Sequence, residues 1–219
     1  MQEFLCPTAI LDSDHPDVVA FAKTHRGAET DPRNTAVALY YAVRDGFRYD
    51  PYGVGVTVES MRASSVLAAG RGWCVTKAIL LTSACRAVGI PARLGFADVR
   101  NHLSTERLRS SMATDVFYYH GYSSIHLDGR WLKATPAFNI ELCEKFRLLP
   151  LEFDGTEDSI YHAFDADGRK HMEYVRERGE FADVPLDEIQ NTFRVHYPNM
   201  VSGLDGADFE RDVEAEVAV

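Results

Sequence analysis

The chain has 219 residues, 33 of them acidic against 23 basic, for a formal net charge of −10. So acidic a chain offers nucleic acid no basic stripe and is repelled by anionic membranes. No apolar run nears the roughly 20 residues needed to cross a bilayer, and Met1-Gln2-Glu3-Phe4-Leu5 does not begin a signal peptide, so a cytoplasmic chain without a membrane or nucleic-acid partner is expected.

A first helix is predicted from Asp14, with Pro16 in its first turn, Val18, Val19 and Ala22 turned inward, and Gly27 as its stop. Asp31-Pro32 repeats the cap-then-proline signal for a second helix that ends at Gly46. The stretch from Phe47 to Gly53 reads as an extended turn, and Ser64-Ser65 as the cap of a short helix through Ala69. The next helix runs from about Cys74 to Val88, stopped by Gly89 and Pro91, and its few polar positions predict burial on most sides. A strand follows at 92–99, then a polar loop from Arg100 to Thr114.

Asp115–Leu127 is rich in β-branched and aromatic residues, and Asp128-Gly129 is a two-residue hairpin turn leading into a return strand at 130–135. A second hairpin is expected around 165–168, joining 159–164 to 169–175, and a last helix near Asp183 with Pro185 in its first turn. The predicted plan is α+β: a helical first part whose cysteine-bearing helix packs on an antiparallel sheet. Residues 1–202 are read as one domain, with a core at about 31–140 and an extension at 141–202. Residues 203–219 are read as a poorly ordered acidic tail.

Four cysteines (Cys6, Cys74, Cys85, Cys143) are irregularly spaced with no CxxC pair, which points to free thiols. Cys74 stands apart because it follows Arg71-Gly72-Trp73 and opens the buried helix. A helix N-terminus presents unsatisfied N–H groups and the positive end of the helix dipole, which favour a thiolate and can hold a developing oxyanion. Cys85, further along the same stripe without a neighbouring glycine, reads as core. The eight histidines show no metal-ligand spacing, so no metal and no cofactor is expected.

The hairpin supplies a proton partner. With Asp128-Gly129 as the turn, Tyr122 faces Thr135 and His120 faces Ala137; Tyr118, His120, Tyr122, Ser124 and His126 share one side. Thr135 then lies diagonally from His120, and Asn139 on the other diagonal if pairing continues past Pro136. Nucleophile, base and a third group that orients the base is the general logic of such sites. Trp73, Tyr49, Tyr52, Tyr118, Tyr122 and the loop residue His102 are candidates to line a substrate groove.

Two blocks carry a resemblance. Gly72-Trp73-Cys74, followed by Cys85-Arg86-Ala87-Val88-Gly89-Ile90-Pro91-Ala92-Arg93, resembles the active-cysteine helix of the transglutaminase-like superfamily. His120-Gly121-Tyr122, ending in Leu127-Asp128-Gly129-Arg130-Trp131, resembles its histidine strand, and together the blocks cover roughly residues 45 to 140. The resemblance implies a papain-like core and attack of a thiolate on an amide carbonyl, giving an acyl-enzyme that water or an amine resolves. It implies Cys74 as nucleophile, His120 as base, and a peptide or amide-containing substrate.

Thr135 stands where the family's W-x-x-x-D-P pattern has its aspartate. A hydroxyl accepts from an imidazole N–H but brings no charge to an imidazolium. Two other readings stay open: a binding module that keeps the fold without catalysis, and a thiol acyltransferase with a small activated donor. The second is suggested by a faint echo of the arylamine acetyltransferases in Arg71-Gly72-Trp73-Cys74.

Overall fold

The computed structural model describes residues 1–28, 31–101, 104–160, 167–168, 171–197, 199, 204 and 207–217. Helices α1 (Pro16–His25) and α2 (Pro32–Gly46) begin at the two predicted prolines. The α2 cap is Asp31, which accepts from the Asn34 N–H at 2.9 Å; for α1 the cap is His15 rather than Asp14. Two short helices follow, α3 (Val58–Met61) and α4 (Ala63–Ala69), and only the second was expected. A Thr57–Ser60 capping box nucleates α3.

Helix α5 (Cys74–Ala87) is the centre of the molecule: each of its residues from Cys74 to Arg86 is buried. Helices α1, α2 and α4 pack on its outer sides, and strands β3 (Ala92–Asn101) and β4 (Val116–Leu127) on the other. Full burial means its polar side chains must find partners inside the protein. Thr82 donates to Ser123 at 2.9 Å, and Arg86 donates to the carbonyls of Ala92, Cys6 and Ala182. The Lys77 ammonium donates to the Arg44 and Phe47 carbonyls at 2.8 and 2.6 Å, closing the C-terminal end of α2.

The main sheet is antiparallel in the order β5-β4-β3-β6, with β5 at Arg130–Ala134 and β6 at Met172–Phe181. A two-residue parallel pair, β1 (Arg48–Tyr49) with β2 (Arg71–Gly72), sits at the head of α5. The Asp128-Gly129 turn has φ of 48° and 79°, as a two-residue hairpin requires. The observed α+β layering is the predicted one.

Several boundaries differ from the sequence expectation. Helix α6 (Glu106–Met112) interrupts the expected polar loop, capped by Thr105, whose hydroxyl accepts from the Leu108 N–H. β4 and β5 pair as predicted from Leu127↔Arg130 to Ser123↔Ala134, and there the pairing stops. Thr135 instead takes its backbone partner from Ser159, and Asn139 starts helix α7 (Ile140–Phe146) rather than continuing a strand. Pro136 cannot donate to a ladder, which is consistent with the break.

The second expected hairpin falls largely outside the described residues. Its residues 161–166 and 169–170 lie outside the described residues, and β6 pairs with β3. Helix α8 (Leu186–His196) follows Pro185. The expected acidic tail holds helix α9 (Phe209–Val217), which folds back on the body through the buried Phe209 and Val213. Among the described residues no helix is long and apolar enough to cross a membrane.

Candidate active site

Cys74 opens α5 and is 4% exposed. The turn before it is fixed by the Thr76 hydroxyl, which accepts from the Trp73 N–H at 3.0 Å. Three backbone N–H groups favour the thiolate: those of Cys74, Val75 and Gly121. Burial outweighs them and pushes the Cys74 thiol up to about 11. The sequence reading expected the helix N-terminus to lower that value; the N–H groups are there, but a sulfur cut off from water loses more from desolvation than they return.

Gly121 is where strand and helix meet. A methyl group at this position would stand 2.8 Å from the Val75 Cα, so only glycine lets the start of α5 rest on the strand backbone. Beyond Ser123 the β4 edge is not covered by β5, and on this stretch the Gly121 N–H meets the Cys74 sulfur. His120 is the preceding residue, 5% exposed and paired with Ala97 of β3.

Just upstream, β4 carries a bulge. Ala97 pairs with His120 but Val99 pairs with Phe117, so Tyr118 and Tyr119 together oppose Asp98. Tyr119 has φ of 57°, uncommon for an aromatic residue. The buried Asp98 carboxylate accepts from the Tyr119 N–H at 3.1 Å and from the Arg178 guanidinium at 2.8 to 3.0 Å. Arg178 lies at a β6 register shift, followed by Gly179 at φ 101°. The bulge also breaks the even-numbered face predicted for β4. Tyr118 lines a pocket with Cys74, whereas the Tyr122 ring lies across Gly95 and points its hydroxyl towards Glu180.

That pocket is narrow, about 30 Å³, and opens to solvent. Its rings are Tyr49, Trp73, Phe117, Tyr118, Phe193 and Tyr197. Trp73 and Phe193 stand 5.9 Å apart, and Tyr118 stacks on His196 at 4.0 Å. Three of the expected groove residues therefore gather at Cys74: Trp73, Tyr49 and Tyr118. Tyr52 does not join them; its hydroxyl bonds Thr105 and Asp212 while its ring packs on Phe209. His102 lies outside the described residues.

The two candidate orienters hold other bonds. The Thr135 hydroxyl donates to the Ile160 carbonyl at 2.6 Å, which leaves its lone pairs as acceptors. Asn139 accepts from the Tyr49 N–H at 3.1 Å and so fixes the pocket wall. Sequence reading missed Phe193 and Tyr197, whose only signal was their apolar type in a segment without a motif. It also missed Asp98 and Arg178, whose ion pair sits at the bulge next to His120.

Cys85 and Cys143 are buried thiols pushed up to about 12, chiefly by desolvation. Cys6 is the exposed one.

Solved structures that match the chain include a cysteine protease candidate from Cytophaga hutchinsonii. It is 17% identical, with TM-score 0.47, matched over 81% of this chain and 53% of its own. A protease candidate from Parabacteroides distasonis is 14% identical, with TM-score 0.39, matched over 57% of this chain and 25% of its own. The chain thus spans about half or less of these proteins. No curated protein matches it. The family model of the transglutaminase-like superfamily matches residues 19–136, more than half of the chain, from within α1 to just past β5, and the chain belongs to that superfamily.

Proposed function

We propose that this protein is a thiol enzyme acting on amide or peptide carbonyls, with Cys74 as nucleophile and His120 as its proton partner. One observation carries the reading: the Cys74 sulfur heads a buried helix, touches the N–H of the residue after His120, and borders a pocket open to solvent.

In the proposed reaction the sulfur–carbon bond forms as the thiol proton passes to the His120 imidazole. A resting thiol, rather than a preformed thiolate, fits the burial of Cys74. The N–H groups at the start of α5 stabilise the oxyanion that develops on the carbonyl oxygen. The imidazolium returns its proton to the leaving nitrogen as the carbon–nitrogen bond breaks. Water or an amine then adds to the thioester, gives a proton to His120, and releases the acid or new amide as Cys74 regains its hydrogen. Thr135 serves as acceptor for the second imidazole nitrogen.

The test is labelling with a peptidyl acyloxymethyl ketone, read residue by residue by mass spectrometry. Cys74 is expected to react first although Cys6 is the exposed thiol, and His120→Ala is expected to slow Cys74 at least tenfold. Labelling that simply follows exposure, with Cys6 ahead, overturns the reading. A second reading, a binding module without turnover, draws on Thr135 in place of a carboxylate. In that case Cys74→Ser leaves ligand binding and cellular function unchanged.

A further inference from the structure

Cys74 is walled in more closely than its chemistry permits. The space beside it is about 30 Å³, the share of roughly one water, and the residue itself is 4% exposed. An amide carbonyl with its two substituents is far larger than a water. For its carbon to bond the sulfur, part of the wall has to give way.

The parts of that wall are not equally held. Trp73 and Cys74 stand at the head of α5, which is buried from Cys74 to Arg86. Tyr49 is pinned through its N–H by Asn139, and Phe117 pairs with Val99 inside the sheet. Helix α8 is held less: of its 11 residues Ile189 alone is buried. A segment with few buried apolar contacts opens at low free-energy cost. The Tyr119 hydroxyl on Glu188 at 2.9 Å and Gln190 on the Val56 carbonyl at 2.8 Å tie it to the body. Its far end is fastened by Tyr197, one residue past the helix. The Tyr197 hydroxyl donates to the Val116 carbonyl at 3.0 Å and accepts from the Tyr118 N–H at 2.6 Å, on a stretch of β4 that β5 does not reach. Phe193 and Tyr197 are the rings that this segment lays against Cys74. α8 lies outside the residues that the superfamily model matches, so this part of the wall belongs to the chain's own extension.

Resting on the reading of Cys74 as nucleophile, we propose that α8 and Tyr197 form an autoinhibitory cover over the sulfur, latched by the Tyr197 hydroxyl on β4, that must lift before an acyl donor reaches Cys74. Opening carries Phe193 and Tyr197 away from the sulfur and hands the Val116 carbonyl and the Tyr118 N–H to water. The bonds that Tyr197 makes to β4 are what the closed form gains in return.

Alkylation by iodoacetamide, read at each cysteine by mass spectrometry, tests the cover. Tyr197→Phe keeps the ring and removes the latch, and is expected to speed Cys74 about fivefold. Glu188→Ala releases α8 at a residue that does not line the pocket, and is expected to speed Cys74 about threefold. Cys85 and Cys143, buried elsewhere, are expected to stay slow in both variants. Unchanged Cys74 rates in both variants overturn the cover. An equal rise at Cys85 and Cys143 also overturns it, since that reports a general loosening of the fold. The reading beneath it is judged separately, by adding His120→Ala to Tyr197→Phe and labelling with the peptidyl acyloxymethyl ketone. A slower Cys74 supports that reading even where the cover fails; an unchanged one removes the nucleophile assignment and leaves the alkylation result to decide the cover.

Discussion

Two residues on α5 show opposite consequences of the same burial. Cys74 is driven towards its neutral thiol, and Lys77, one turn along, is driven towards its neutral amine, its pKa pulled down to about 7. Both shifts are led by desolvation, which disfavours whichever form is charged. For Lys77 the sign follows from the two states. The unfolded chain holds its proton to about 10.5 and the folded chain to about 7, so between those values the unfolded state binds more protons and stability rises with pH. The buried Cys74, Cys85 and Cys143 thiols pull the other way at alkaline pH in both proteins, so in urea unfolding the stability of the wild type relative to Lys77→Met is expected to rise from neutral pH upward. At neutral pH the variant is expected to lose about 1–3 kcal/mol, because the Arg44 and Phe47 carbonyls lose their donor. Gly121 makes the second residue-scale prediction. Gly121→Ala places a methyl against the Val75 backbone and is expected to cost about 1–3 kcal/mol by overpacking. It is also expected to slow Cys74 labelling, since the added carbon separates strand from helix. Unchanged melting and unchanged labelling together would remove the close approach from the account.

Among the elements, β4 carries the most demanding geometry. Its bulge puts two residues opposite Asp98 and sets the strand's path into His120 and Gly121. The bulge needs an acceptor for the Tyr119 N–H, and Asp98 supplies it while its own charge is matched by Arg178 from β6. Removing one partner of a buried pair costs more than the pair contributes. Asp98→Ala is expected to destabilise by about 3 kcal/mol, at the lower end for a buried pair because Arg178 keeps some contact with solvent. Asp98→Asn retains an oxygen for Tyr119 and is expected to lose less. Guanidinium denaturation of both variants checks the order, and a larger loss in Asn than in Ala would contradict it.

At the scale of the whole molecule, α9 closes the chain back onto its first half. Phe209 packs on Tyr49 at 5.7 Å and on Tyr52 at 5.3 Å, and acidic residues around it pair with basic ones below: Glu210 with Arg48 and Lys145, Asp212 with Arg107, Glu214 with Lys145. Partly exposed ion pairs contribute about 0–1 kcal/mol each and fade with salt, whereas a buried phenylalanine lost to alanine costs about 3 kcal/mol or more. Apolar contact should therefore dominate. Raising salt to about 1 M is expected to lower the melting temperature less than Phe209→Ala does at low salt. The reverse order would make α9 an electrostatic strap.

Much of this architecture is legible in the residues alone. Asp31-Pro32, Pro16, Gly89 with Pro91, and Asp128-Gly129 act within a few residues of themselves, so α1, α2, α5 and the β4–β5 turn can be placed without neighbours. The thiol at the head of a buried helix and the histidine strand are legible for the same reason. Helices α3, α6 and α7 are too short to show a period, and α9 is acidic enough to read as solvated until Phe209 finds Tyr49 and Tyr52. The bulge depends on Asp98 and Arg178, 80 residues apart. The end of β4–β5 pairing depends on Ser159, and the apolar wall at Cys74 on Phe193 of α8 and Tyr197 just past it. The sequence by itself determined which local caps and turns present Cys74 at a helix start and His120 on a hairpin strand, because caps and turns are short-range. Only the tertiary structure decided how dry those atoms are and what surrounds them, because desolvation is set by every segment that packs against the site.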